Sequence, residues 1–243
     1  MPTEVFPAFI RDHYEVLEWR HASAILQQDF PEEFSDICDV LTRFRLKKSH
    51  IAVGGGQKSK VAEWIDRELG VKGWIEKRFQ TSITVDQNVM ESPTHAVDCF
   101  KNRIALEIEW NNKDPFFDRD LNNFRLLFDL RAVSVGVIIT RCDELQDVFD
   151  SIGRGSSYGA STTHLSKLLP RISGGGGAGC PLIVIGIRRT LYVEEYLRTQ
   201  LRRICSRRFR GLSRLYSPTL PGASRTAPAR WPRNISGFFD IPL

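Results

Sequence analysis

The chain has no run of about 18 apolar residues, which excludes a membrane-spanning helix. It is poor in cysteine. Cys38, Cys99, Cys142, Cys180 and Cys205 are odd in number, widely spaced and without a CxxC pair. That argues against a disulfide framework and a zinc knuckle, and points to a reducing, cytoplasmic setting. The opening MPTEVFPAFIRDHYEVLEWR carries acids early and no continuous apolar stretch, unlike a signal peptide. There is no G-x-S-x-G elbow of the serine hydrolases. GGGQKS is not a Walker A loop, because Gln57 stands where a glycine must precede the lysine. GGGGAG has no following Lys-Ser/Thr and precedes a strand pattern. His13, His21 and His50 are isolated, without partners at metal-ligand spacing.

What is present is globular. The 243 residues are 42% hydrophobic and 26% charged, enough for one domain with a sizeable core and an appendage. The net charge of +5 is unevenly spread. From Arg188 to Arg233 there are twelve arginines and no lysine, against Glu194 and Glu195 alone. The body is therefore acidic and the tail strongly basic. A basic tail can bind nucleic acid through counterion release, or can be a solvated extension.

Residues 4–48 read as helical, with Val16, Leu17, Ala24, Ile25, Ile37, Val40, Leu41 and Phe44 at helical spacing. Pro31 opens a second helix, with Asp29 as its expected cap. GGGQKSK is a flexible basic loop, and it leads into KVAEWIDREL, closed by Gly70. From Ile83 the pattern becomes β-rich: ITVDQNVM, HAVDCF, RIALEIEW and VSVGVIIT. FFDRDLNNFRLLFDLRA is an amphipathic helix presenting Phe117, Leu121, Phe124 and Phe128. After the loop Gly153 to His164 comes a short helix, THLSKLLPRI, which Ser161 or Thr162 could cap. CPLIVIGI is one more buried strand. The expected fold class is α/β, a central mixed β-sheet flanked by helices and containing a crossover helix. The expected domains are 1–195, with helices over 4–70 and a sheet over 83–190, and a basic Arg/Pro-rich tail over 196–243 without periodicity.

The segment HAVDCFKNRIALEIEWNNKDP carries the chemistry. Glu107 stands nine positions after Asp98, and Glu109 follows after one intervening residue. A strand's period of two puts Glu107 and Glu109 on one face. If Asp98 lies on the neighbouring strand of a hairpin turning near Lys101 to Arg103, all three can converge. Hard carboxylate oxygens suit Mg²⁺. By itself, the same spacing also fits an ordinary solvated strand face.

With Asp98, the nine-residue gap, Glu107, Ile108, Glu109, Trp110 and Asn112, the segment resembles the PD-(D/E)XK nuclease motif in its D…E-x-E form. More narrowly, it resembles the BglII/BamHI-like type II restriction endonucleases. The resemblance extends over about residues 50–190, through QKSKVAEWIDRELGVKGWIEKRF, the helix at 117–130 and the strand VGVIITR. One departure stands out: Glu109 occupies the place of the motif's usual final lysine.

The resemblance implies a restriction-endonuclease-like core acting on double-stranded DNA. It implies a homodimer, Mg²⁺ and hydrolysis of phosphodiester bonds within a short palindromic site, leaving 5′-phosphate and 3′-hydroxyl ends. Asp98 and Glu107 would be metal ligands, the Ile108 carbonyl would add an oxygen, and Glu109 would position or deprotonate the attacking water. Two regions could read bases. One is Asn112, just past the catalytic strand; the other is the 153–164 loop with Arg154, Ser156, Ser157, Tyr158, Ser161, Thr162, Thr163 and His164. Lys58, Lys60, Lys113 and Lys167 are expected at phosphates, which position without specifying. A repair or structure-specific nuclease on the same core, or a non-catalytic DNA-binding protein, are the alternatives. The tail could be an evolved DNA-binding arm or the product of a frameshift.

Overall fold

A computed structural model describes residues 2–52, 58–91 and 94–194. The basic tail and most of the GGGQKSK loop lie outside these residues.

The helices are α1 (Ala8–His13), α2 (Ala22–Asp29), α3 (Pro31–Arg43), α4 (Lys48–Ala52), α5 (Lys60–Gly70), α6 (Phe116–Asp129), α7 (Gln146–Ser151) and α8 (Leu165–Ser173). The strands are β1 (Tyr14–Trp19), β2 (Leu46–Lys47), β3 (Ile75–Lys77), β4 (Ser82–Val85) and β5 (Asn88–Glu91). They continue with β6 (Val97–Lys101), β7 (Ile104–Ile108), β8 (Val135–Arg141), β9 (Leu182–Ile187) and β10 (Tyr192–Val193). Six strands form one mixed sheet in the order β1-β9-β8-β7-β6-β3. β7, β8 and β9 run parallel, and β1, β6 and β3 pair antiparallel to their neighbours. This is the α/β mixed sheet that the sequence pattern implies, with α6 as crossover between the parallel strands β7 and β8.

The sheet is buried on both faces because its central strands carry apolar residues at nearly every position. Ile104, Leu106, Ile108, Val137, Ile139, Ile183 and Ile185 point into a core shared with α1, α2, α3 and α5. Ala105, Ile138, Leu182 and Val184 point the other way, against Phe117, Leu121, Phe124 and Leu127 of α6 and Leu165, Leu168 and Ile172 of α8. Helix α6 lies close on the sheet. A Cβ added at Gly136 of β8 would sit 2.6 Å from the Phe124 ring. The site's face is this second one.

The structure departs from the sequence reading at several places. Tyr14–Trp19 is an edge strand, not part of a helix, and pairs along its full length with β9. Its Val16 and Leu17 suit a helix locally. The ladder that β9 offers, together with Tyr14 buried and bonded to the Leu41 carbonyl at 2.8 Å, outweighs that preference. Asp29 does not cap α3: Phe30 takes the N-cap place, and Pro31 opens the helix. Neither Ser161 nor Thr162 caps α8. Asp143 does so from outside the helix, accepting from the Ser166 N–H at 3.1 Å and its hydroxyl at 2.6 Å. Gly70 ends α5, but the left-handed residue after it is Gly73, at φ +87°. The sheet also reaches beyond 83–190, since it includes β1 and β3. β4 and β5, inside that range, form a separate two-stranded hairpin with exposed Val85, Val89 and Met90. With so little apolar burial, that hairpin has no packing to draw it into the main sheet.

No helix among the described residues is long and apolar enough to cross a membrane.

Candidate active site

Asp98 and Glu107 face each other across a hairpin. β6 and β7 pair in register from Cys99↔Leu106 to Lys101↔Ile104. The two-residue turn consists of Asn102 and Arg103, both left-handed at φ 43° and 71°. This is the primed turn whose twist matches that of the flanking strands. One step further along the same register, Asp98 stands opposite Glu107. Each carboxylate takes a backbone N–H of the other strand. The Ile108 N–H donates to Asp98 Oδ2 at 3.0 Å, and the Asp98 N–H donates to Glu107 Oε2 at 3.3 Å. Both side chains are thereby aimed before any ligand arrives.

Glu107 is fully buried, and its Oε1 has no hydrogen-bond partner. Burial, and then the charges of Asp120 and Asp98, hold its carboxyl well above the usual carboxylate range. Burial also raises Asp98, against the Ile108 N–H and the charge of Lys58. An unpartnered buried carboxylate oxygen is costly unless something positive completes it.

Among the described residues, Glu109 does not join Asp98 and Glu107 in a group of three that could hold a metal. Glu109 lies just past β7, held to β8 by its N–H to the Ile139 carbonyl at 2.9 Å. Its Oε1 accepts from Arg119 at 3.3 Å and its Oε2 from Asn112 Nδ2 at 2.8 Å. These two donors fix the orientation of its carboxylate. Burial, then the charge of Asp120, push the Glu109 carboxyl up to about 9.

Asp120, fully buried on α6, is a carboxylate that the motif does not contain. Its Oδ1 accepts from Arg119 at 2.8 Å, while Oδ2 has no partner. Burial pushes it up to about 6. It was legible in principle, because Phe117, Asp120, Leu121 and Phe124 share one helical face and an acid in an apolar stripe is out of place. Arg119, between Glu109 and Asp120, is the cation of this corner and stacks on Phe116.

Among the described residues, no group of three or more His, Cys, Asp or Glu is gathered to hold a metal. The donors that are present still suit a hard cation. Two adjacent carboxylates, one with a free buried oxygen, and the backbone beside Ile108 fit Mg²⁺, which takes few protein ligands and keeps water and phosphate oxygens.

The two expected DNA-facing regions meet. Asn112 and Thr163 exchange main-chain and side-chain bonds, with the Thr163 N–H to the Asn112 carbonyl at 2.8 Å and the Asn112 N–H to Thr163 Oγ1 at 3.2 Å. Lys113 and Thr162 form a bridge, and the Asp114 N–H reaches the Ser161 carbonyl at 3.0 Å. Ser156, Ser157, Asn112 and Lys113 are exposed, and Arg154 and Thr162 are half-buried. Tyr158 and Thr163 are not surface residues. Tyr158 stacks on Phe149 at 4.0 Å and meets Trp110 edge-on, so its ring belongs to the core. His164 is buried between Asp143 and the Thr162 carbonyl. The sequence could not show this, since a Ser/Thr/Gly-rich loop reads as exposed throughout.

Of the lysines, Lys58 bonds Asp66 at 2.7 Å, and Asp66 in turn accepts from Cys99 beside Asp98. Lys60 is held by Glu63 at 2.6 Å, out along α5. Lys167 and Arg171 both approach Asp114, at 3.8 Å.

No curated protein matches the sequence. The family model described as restriction endonuclease BglII/BglIII matches residues 14–187, which spans the six-stranded sheet, the carboxylate hairpin and α6. By that match, over the greater part of its length, the chain belongs to the BglII/BglIII restriction endonuclease family.

Proposed function

We propose that this chain is a Mg²⁺-dependent type II restriction endonuclease that hydrolyses phosphodiester bonds of double-stranded DNA at a short palindromic site. The observation that carries this reading is the β6–β7 hairpin. It sets Asp98 beside Glu107 with a buried carboxylate oxygen left open. Asp98, Glu107 and the Ile108 carbonyl would hold the cation. When bound, Mg²⁺ supplies charge to the scissile phosphate and acidity to water.

The rest belongs to the chain's own residues. Asp98 and Glu107 are pre-aimed by backbone N–H groups, so no reorganisation is needed at the reacting centre. Glu109, held by Arg119 and Asn112, orients the attacking water or takes its proton. The lysine of the common motif is absent, and Arg119 and Lys58 are the cations whose charge acts on Asp98. Glu107 and Glu109 are themselves buried, which limits bulk water around them.

Readout is assigned to the exposed edge formed by Asn112 and the loop with Arg154, Ser156, Ser157 and Thr162. Lys58, Lys60, Lys113 and Lys167 contact phosphates. A homodimer would match the two-fold symmetry of a palindrome, each subunit cutting one strand. The reading places the protein in the cytoplasm.

Incubating plasmid DNA with the purified chain and Mg²⁺ tests it. Discrete bands that vanish with chelator are expected. A smear, or nicking only at unusual structures, would favour a repair nuclease. Binding without cutting under any divalent ion would sink the enzymatic reading.

A further inference from the structure

Resting on the nuclease reading above, we infer that Thr163 is a positioning residue that ties the base-reading loop to Glu109 through Asn112. Its hydroxyl and amide hold the Asn112 backbone from both sides, at 3.2 and 2.8 Å. The Asn112 side chain carries the link onward to Glu109 at 2.8 Å. Only one residue therefore stands between a loop offered to DNA and a carboxylate at the chemistry.

The clamp is built to be stiff. Thr163 is fully buried, and its branched Cβ restricts its χ1. The bridge between Lys113 and Thr162 and the bond from Asp114 to Ser161 extend the contact over three successive residues on each side. The loop is also pinned at Tyr158 and Thr162 by Arg141 at the end of β8, which donates to the Tyr158 carbonyl at 2.9 Å and to Thr162 Oγ1 at 2.7 Å. The Thr162 hydroxyl in turn donates a hydrogen bond to the Gly159 carbonyl at 2.8 Å. Arg141 is buried under Phe149 and Tyr158, and its Nε has no acceptor. A buried guanidinium spent on neutral acceptors is an expensive fastening for a loop with no other task.

The second half of the loop thus refers to two neighbouring strands: through Arg141 to β8, and through Asn112 to the end of β7. A loop displaced by a wrong base pair drags Asn112, and with it the hydrogen bond that orients Glu109. Wrong sites are then penalised in the cutting step as well as in binding.

The test compares the parent with Thr163→Val, which keeps shape but loses the acceptor, and Thr163→Ser, which keeps the acceptor. Binding to the mapped site is measured with Ca²⁺, and single-turnover cutting with Mg²⁺. Thr163→Val is expected to bind near the parent level, to cut about tenfold more slowly, and to discriminate less between the site and its one-base variants. Thr163→Ser restores both. Weaker binding with an unchanged cutting step, parental behaviour throughout, or failure of serine to rescue would each overturn the inference. Amide exchange reads the clamp without cleavage. The Asn112 N–H is expected to be protected in the parent and released in Thr163→Val, and equal protection in both also refutes the inference. A parent that cuts no DNA would refute the nuclease reading, and the exchange comparison would still decide the clamp.

Discussion

The backbone N–H of Asp98 donates to the Glu107 carboxylate at 3.3 Å across a two-residue hairpin, so the two acids are placed by the chain and not by a ligand. Their repulsion is built into the fold, and the first expected outcomes follow from it.

Asp98→Asn or Glu107→Gln is expected to reduce cleavage by roughly a hundredfold or more, the scale for losing one pre-aimed electrostatic group. DNA binding without metal should persist or improve, since a negative charge facing phosphate is gone. Thermal melting at pH 8 should show Glu107→Gln no less stable than the parent, because the amide resembles the neutral form that burial favours. Near-parental cutting by either variant would remove that carboxylate from the site.

Stability should depend on pH and on metal together. Glu107, Glu109 and Asp120 all have carboxyls raised by burial. The folded chain therefore holds these protons more tightly than the unfolded chain. Their contribution is complete below the usual carboxylate range. It is lost as pH rises through about 6 for Asp120 and about 9 for Glu109. The metal-free melting temperature should fall across that window, and added Mg²⁺ should raise it more at the alkaline end. A saturating cation contributes about 2.7 kcal/mol at a hundred times its Kd. An Mg²⁺ increment independent of pH would count against the cluster as the binding site.

Arg103→Gly should stabilise the protein by about 1 kcal/mol, because Arg103 is held left-handed at φ 71° where glycine has no Cβ penalty. The Ser134 N–H to the Arg103 carbonyl, at 2.8 Å, involves backbone only and is retained. Chemical denaturation reads the effect, and a lower midpoint would mean that the arginine side chain has a role of its own.

Deleting residues 198–243 removes ten arginines. Nonspecific DNA affinity should fall, and its salt dependence should flatten by about 0.9 in logarithmic slope for each phosphate that the tail no longer neutralises. Cleavage specificity should survive, since the carboxylates and the 153–164 loop lie upstream. An unchanged slope would make the tail a passive extension, and loss of a dimer would make it structural.

What the sequence determined by itself is what local periodicity encodes. Strict alternation in RIALEIEW set which residues of β7 face α6. The uninterrupted apolar VSVGVIIT and CPLIVIGI announced strands buried on both faces. The spacing of Asp98, Glu107 and Glu109 marked the hairpin. Tertiary structure decided the rest, because the deciding partners are distant in the chain. Tyr14–Trp19 became a strand only because β9, some 170 residues away, offers a ladder edge. Glu109 took Arg119 and Asn112 as its partners, donors whose reach depends on how α6 and the following turn pack. Tyr158 went into the core, and Asp120 joined the acidic site, because burial is a property of the assembled layers. Short-range pattern records which face a residue prefers; only packing determines what stands opposite it, and at this site the charges standing opposite one another are the chemistry.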